Sequence, residues 1–467
     1  MKIKLSLKPN IKEISFFAIH VFSYMNISPH ISTVLILFAV GLSIYEMHNN
    51  NFNLFFALLL LGNYHSNGPS IYTLNIIGIS IIYPMLLYFA LLNLKFLRVL
   101  NRKVMVIIAP LILLIPINLA LGYYYKFTVI YFFLDTLRFL FFYFFILLFS
   151  KGIYNAEFLR QIKLYIVYYV PLFFLLTGLL SPEIQVSEIK SNYFDEFSSF
   201  YILSILPYIF LEPSQKNKIV LLLMAVIVFI IKAKFFYFSS FELLGFIISI
   251  FLILYFSGNL IVFFKKLILV TFFLGIAWGL IYKYGNNYTK FKINQSITVV
   301  NFLINGLDKN SLLIVPFSPR VRILEFFNSI HDMQKSHKLL PLIGKGFGSS
   351  FKMEALPPSK FGIVSLYDTG SYSEEEIKRG EYKGGHNTIS FLPSKIGFIG
   401  LFLMIYIAFI GLKLCRRTSF KWILIPSIIY MLMNMGYGLK NFILIGCLIG
   451  FILWLFADFN GKTGSNG

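Results

Sequence analysis

Apolar runs of a length that crosses a bilayer recur from one end of this chain to the other, and they set the terms for any fold. They lie at roughly 13–27, 31–47, 51–63, 71–92, 104–122, 128–150, 162–180, 197–212, 217–236, 238–257, 262–284, 389–412, 419–437 and 440–457. A helical crossing needs about 20 predominantly apolar residues. The runs at 13–27 and 51–63 are short for one. Soluble domains carry about 25% charged residues, whereas this sequence carries 13% and is 58% hydrophobic, with 54 Phe and 29 Tyr. The expected fold is an all-α polytopic membrane protein with about 14 transmembrane helices, 12–14 allowing for the short runs. The two cysteines, Cys415 and Cys447, sit in or beside apolar segments and exclude a disulfide framework or a thiolate metal cluster.

Charge orders the crossings. The loops 93–103 (Lys95, Arg98, Arg102, Lys103) and 413–421 (Lys413, Arg416, Arg417, Lys421) are basic and carry no acid. Lys151, Arg160 and Lys163, then Lys216 and Lys218, then Lys265 and Lys266 fall in alternate loops, while 63–70 and 181–198 are poor in cations. Every second loop is basic, as cytoplasmic loops are. That alternation predicts both termini in the cytoplasm. Lys2, Lys4, Lys8 and Lys12 precede the first run without a small-residue cleavage site, so an uncleaved anchor is expected. The net charge of +21 is mostly this topology signal. Its scatter over short loops speaks against a nucleic-acid partner.

One connection breaks the rhythm. No span-length apolar run occurs between 285 and 388, a loop that parity puts outside the cytoplasmic membrane, on the periplasmic side. It holds 13 Lys and Arg against 9 Asp and Glu, so this outer loop is net basic. Such a length without function is unusual. The expected organisation is 1–284 transmembrane, 285–388 a large loop carrying short helices, and 389–467 transmembrane again with a cytoplasmic tail.

Three places can carry chemistry. In the loop, Ile323, Phe326, Phe327 and Ile330 have helical spacing, which predicts an amphipathic helix from near Pro319 lying along the membrane surface. Arg320 and Arg322 fall in its first turn, where cations are electrostatically misplaced unless an anion binds. Beyond it, Gly344, Gly346 and Gly348 permit a tight backbone turn near a ligand, though a plain turn reads equally from GxGxG alone. Second, Gly384-Gly385-His386-Asn387-Thr388 opens the next crossing, followed by Phe391, Gly397 and Gly400. His386 there can serve as a general base or as an interfacial cap. Third come charges within the spans. Asp135 and Arg138, at i,i+3, suit structural pairing. Lys232, Lys234 and Glu242 surround the outer turn 233–241, where Lys234 can reach a phosphate or snorkel to the headgroups. Lys440 is placed similarly in the last outer turn. His331, Asp332 and His337 read as a solvated face, so no metal site is expected.

In this order, the features resemble the O-antigen polymerase and O-antigen ligase family. The features are many crossings, a late outer loop, an Arg-rich helix, a Pro-x-x-G-x-G-x-G turn, then His-Asn and Gly-x-x-Gly. Arg322, four before Phe326 where the family often has Trp, matches the family's loop arginine best and Arg320 second. His386-Asn387 matches its His motif. Lys232-Ala233-Lys234 occupies the place of its earlier outer cation, usually Arg, and Lys lacks the bidentate fork that Arg offers phosphate. The motif resemblance covers about 230–410.

The resemblance implies a bacterial inner-membrane glycosyltransferase of the membrane-embedded C type, with its active site facing the periplasm. It would take a glycan from an undecaprenyl diphosphate carrier without metal or other cofactor, with inversion. Arg322, Arg320, Lys234 and Lys440 are candidates for the diphosphate clamp, with His386 as base. The implied partners are the undecaprenyl-diphosphate-linked oligosaccharide, membrane lipids and a chain-length regulator. Between the two activities, the Phe/Ile/Lys/Asn bias favours polymerase over ligase. The alternatives are an O-antigen ligase acting on lipid A–core, a flippase for the lipid-linked unit, or an envelope scaffold. A flippase would leave the large loop unexplained, since such transporters usually join two similar halves by short connections.

Overall fold

A computed structural model describes residues 8–25, 28–62, 70–76, 79–97, 102–125, 129–180, 195–213, 217–235 and 240–256. It also describes scattered positions between 268 and 294, and then 317–361, 372, 374–383, 388–434 and 438–463. The chain divides into two compact units that interleave in sequence. The first comprises 1–98, 152–293 and 414–429, and the second 99–151, 294–413 and 430–467.

The first unit contains α1 (Ile11–Met25), α2 (Pro29–His48), α3 (Asn53–Leu61), a two-stranded ribbon β1 (Asn75–Ile76) and β2 (Ile79–Ser80), and α4 (Ile82–Asn93). The run at 71–92 is therefore not one helix, contrary to the sequence expectation. Asn75 pairs with Ser80 and Ile76 with Ile79 across the ribbon. Consecutive β-branched isoleucines favour a pleated backbone, and mean hydropathy does not register that preference.

Four stacked or edge-on rings, Phe52, Phe55, Phe56 and Phe89, form an aromatic core with Tyr154. Tyr154 donates to the buried Asn93 Oδ1 at 2.6 Å. In α7 (Asn155–Leu164), Gln161 donates to the buried Glu13 of α1 at 2.7 Å and Arg160 through Nη2 at 2.8 Å. A single π turn, Tyr165–Tyr169, joins α7 to α8 (Val170–Leu180), and α9 (Asp195–Leu211), α10 (Lys218–Phe235) and α11 (Ser240–Tyr255) follow. Two buried ion pairs hold this part. Lys163 pairs with Glu212 at 2.8 Å, and Lys232 with Glu242 at 2.8 Å, where Ser199 also donates at 3.2 Å.

The second unit begins with α5 (Arg102–Tyr124) and α6 (Val129–Phe149). Pro110 and Pro116 lie inside α5, which membrane helices tolerate because neighbouring groups resatisfy the freed backbone. The loop contributes α12 (Phe317–Ser336), α13 (Leu340–Ile343) and α14 (Glu374–Arg379). Then come α15 (Thr388–Cys415), α16 (Lys421–Met433), which runs on from the first unit, and α17 (Leu439–Thr463). Gly446 and Gly450 of α17 lie against α6. A Cβ on Gly446 would come 2.8 Å from Phe142 O, and one on Gly450 would come 2.7 Å from Ile146 O. This is the small-xxx-small contact by which membrane helices approach closely.

Among the described residues, six helices are long and apolar enough to cross a bilayer: 29–48, 102–124, 129–149, 155–176, 388–415 and 439–459. Shorter apolar helices lie at 82–97, 199–211, 242–255 and 421–433. Their outward residues are apolar too: Val106 is 68% exposed and Phe402 63%. Lipid is the solvent that covers such faces, and the chain is a multi-pass, all-α membrane protein. The run at 262–284 falls mostly outside the described residues.

Candidate functional site

The loop helix α12 sets the site. Its most buried residues are Val321, Leu324, Glu325, Asn328, Ser329 and Met333, whereas Ile323, Phe326 and Ile330 are only partly buried, Ile323 against the loop's own core, and Phe327 is exposed. The helix expected from near Pro319 is present, and it turns polar as well as apolar groups inward. Val321 and Leu324 join Phe351, Met353, Phe361 and Tyr382 in a small core belonging to the loop itself. The inward polar groups are satisfied from distant segments. Asn328 donates to Leu356 O and accepts from Leu356 N, each at 2.9 Å. Phe351 and Tyr382 exchange backbone hydrogen bonds at 2.9 Å.

Glu325 is wholly buried and collects three donors: Tyr372 Oη at 2.5 Å, Arg322 Nη1 at 3.4 Å and, on its other oxygen, Ser390 Oγ at 3.4 Å. Burial raises its carboxyl above the ordinary range, and the charge of Arg322 is the largest influence opposing this. Tyr372 is likewise raised well above its usual value, first by burial and then by the Glu325 charge. It therefore stays a donor. Arg322 remains one-fifth exposed, so its guanidinium is accessible from outside while its partner carboxylate is not. Arg320, on the same turn, donates to Phe361 O at 2.5 Å.

The glycine turn is built as the sequence suggested. Gly344, Gly346 and Gly348 have φ of 88°, 97° and 74°, conformations that glycine adopts without steric cost. The close approach is reciprocal. A Cβ on Gly344 would lie 2.4 Å from Lys395 O, and one on Gly397, where α15 breaks at φ 71° and ψ −179°, would lie 2.0 Å from Leu342 O. Lys345 N donates to Ser394 O at 2.9 Å across this junction. Asp135 of α6 closes the arrangement. Its Oδ2 accepts from Gly348 N at 2.9 Å and from Lys395 Nζ at 2.9 Å, and Oδ1 accepts from Arg138 at 3.4 Å. Lys395 also donates to Ser349 O at 2.7 Å.

No family model matches the chain, and no curated protein sequence is significantly similar to it. The site is therefore read from its own geometry.

Of the residues singled out from sequence, Arg320 and Arg322 share one turn, and Gly344, Gly346 and Gly348 form one turn tied to Asp135. The Asp135–Arg138 pairing is present, with Lys395 as a second cation. Lys440 is buried at the start of α17. Lys234 belongs to α10 in the other unit and its side chain lies outside the described residues, as do His386 and Asn387. Among the described residues, no three His, Cys, Asp or Glu side chains converge as a metal site would need. Sequence reasoning missed Glu325, Tyr372, Ser390 and Lys395. Lys395 had a usable signal, a charge inside an otherwise apolar run. Glu325 had one in its i,i+3 spacing from Arg322, whereas Tyr372 and Ser390 had none, because Glu325 lies 47 and 65 residues from them in sequence.

Proposed function

We propose that this chain is a glycosyltransferase of the O-antigen polymerase type, with the C-type membrane architecture of about 14 crossings and its site on the periplasmic face of the bacterial inner membrane. What supports the reading is an arginine, Arg322, left accessible on a helix whose inner face is anchored by the buried Glu325. That helix adjoins a glycine turn and the start of the crossing that follows His386-Asn387.

The reaction joins an acceptor sugar hydroxyl to the anomeric carbon of the donor glycan. The bond from that carbon to the undecaprenyl diphosphate oxygen breaks, and the hydroxyl proton passes to a base. The leaving diphosphate gathers negative charge, which fixed cations stabilise where water is excluded. Arg322 and Arg320 take that part, with Lys440 as a further cation of the clamp. His386 takes the proton.

Purified full-length protein given lipid-linked repeat units should return a ladder of longer lipid-linked chains. Arg322→Ala and His386→Ala should return single units while the protein stays in the membrane. Ladders of normal length from both variants would refute the site. Transfer to lipid A–core in place of a ladder would indicate a ligase, and no longer product at all would favour a flippase.

A further inference from the structure

We propose that binding of a diphosphate at Arg322 is coupled to uptake of a proton by Glu325. The inference rests on reading Arg322 as a cation of the diphosphate site. Its basis is an asymmetry within one ion pair. The Arg322 side chain is 20% exposed and the Glu325 side chain 0%. The hydrogen bond between them is long, 3.4 Å, whereas Tyr372 holds the same carboxylate oxygen at 2.5 Å. An anion arriving from outside can therefore draw the guanidinium toward itself, and the carboxylate cannot follow.

The consequence is electrostatic. Arg322 is the largest influence favouring the charged form of Glu325 against its burial. A buried carboxylate deprived of its counter-charge is costly and takes up a proton instead. The step balances as carboxylate plus one solvent proton giving a neutral carboxyl. Groups facing Glu325 suit both states. Tyr372, with Tyr382 against its ring at 4.6 Å, keeps its own proton and continues to donate. Ser390 Oγ, from α15, is a hydroxyl that can turn from donating to the second carboxylate oxygen to accepting the added proton. Arg322 is the charged group on the helix of Glu325 itself. The coupling makes anion binding stronger as pH falls, and it lets a rise in pH favour release.

The test is calorimetric titration of the full-length protein in detergent with farnesyl diphosphate. It is repeated in buffers of different protonation enthalpy between about pH 5 and 8. Farnesyl diphosphate titrates on its own account, so the quantity that decides is the difference between wild type and Glu325→Gln. Wild type should take up more protons per ligand, by a fraction approaching one. Its affinity should fall with pH more steeply than that of the variant, by up to about tenfold per unit. Equal proton counts in the two proteins would overturn the coupling while leaving the anion site standing. No binding by wild type, or binding indifferent to Arg322→Ala, would overturn the site reading and the coupling with it. If Glu325→Gln does not fold, Tyr372→Phe serves: it removes a donor to the carboxylate and should move the pH dependence upward. An unmoved profile overturns the proposal.

Discussion

Asp135→Asn tests the junction that fixes the glycine turn, because it removes a charge and leaves the shape. Asp135 and Lys395 are 6% and 2% exposed and lie 2.9 Å apart. Taking the charge from one member of such a pair costs about 3–5 kcal/mol, since the other stays buried and uncompensated. Asparagine keeps an oxygen for Gly348 N–H, so the further cost of an orphaned buried donor, about 1–3 kcal/mol, is avoided. Lys395→Met removes the other partner, but Asp135 then retains Arg138 at 3.4 Å and Gly348 N–H at 2.9 Å. Its cost is that of one charge-assisted hydrogen bond, to Ser349 O, and some packing, about 1.5–3 kcal/mol. The double variant leaves no fully buried charge uncompensated and should cost about as much as Lys395→Met alone, which puts the coupling at about 3–5 kcal/mol, the whole cost of Asp135→Asn. Reversible denaturation in mixed micelles of the four proteins measures it. Additivity to within about 0.5 kcal/mol, or a Lys395→Met variant weaker than Asp135→Asn, would refute the hub.

Gly397→Ala should cost about 3–5 kcal/mol, from backbone strain in a glycine-only region and from loss of the Lys345–Ser394 hydrogen bond as Leu342 is pushed away. An unchanged melting midpoint in detergent would refute the docking. Glu325 binds its proton more tightly folded than unfolded. Its stabilising contribution is therefore complete below the ordinary glutamate range, about pH 4.3, and is lost as pH rises through its raised value. The stability of Glu325→Gln relative to wild type should accordingly rise with pH, and a flat difference in parallel melts would contradict this. Arg322→Lys keeps the charge and loses the planar fork, so it should retain lipid-linked product formation at a level between wild type and Arg322→Ala. Wild-type rates from the lysine variant would mean that only charge is used.

The sequence spoke most clearly where the solvent is uniform. The predominantly apolar runs at 104–122 and 128–150 became α5 and α6 within two residues, because a membrane-spanning segment has little else to be than helix. The Asp135–Arg138 pair was legible because i,i+3 spacing needs no tertiary knowledge. Hydropathy failed at 71–92, where it cannot separate β-branched strand from helix. Periodicity located α12 but not its most buried face. A face carrying Glu325 and Asn328 reads as outward unless Tyr372, Leu356 and Ser390 are known to meet it. Lys395 could be singled out as a charge in an apolar run, but its pairing could not, since its counter-charge Asp135 sits on α6, in a segment far upstream.

The two polar clusters meet on α15, and that arrangement gives them separable roles. Ser390 and Lys395 are five residues apart, which turns them about 140° around a helix. One face of α15 thus receives Glu325, and another receives Asp135 and the glycine turn. Thr388 fixes the first turn independently through its bond to Met431 O at 2.9 Å. The start of this helix, which in sequence directly follows His386-Asn387, is held from three sides. A helix end held by one contact would shift when that contact is cut. Held by three, it should keep its place when Glu325 loses only its charge. Glu325→Gln should therefore alter the proton linkage of anion binding with little loss of stability, whereas Asp135→Asn should lower stability and leave that linkage intact in the folded fraction. Proportional loss of both properties in both variants would show that the clusters act as one cooperative unit, and Glu325 would then have no role separate from holding the fold.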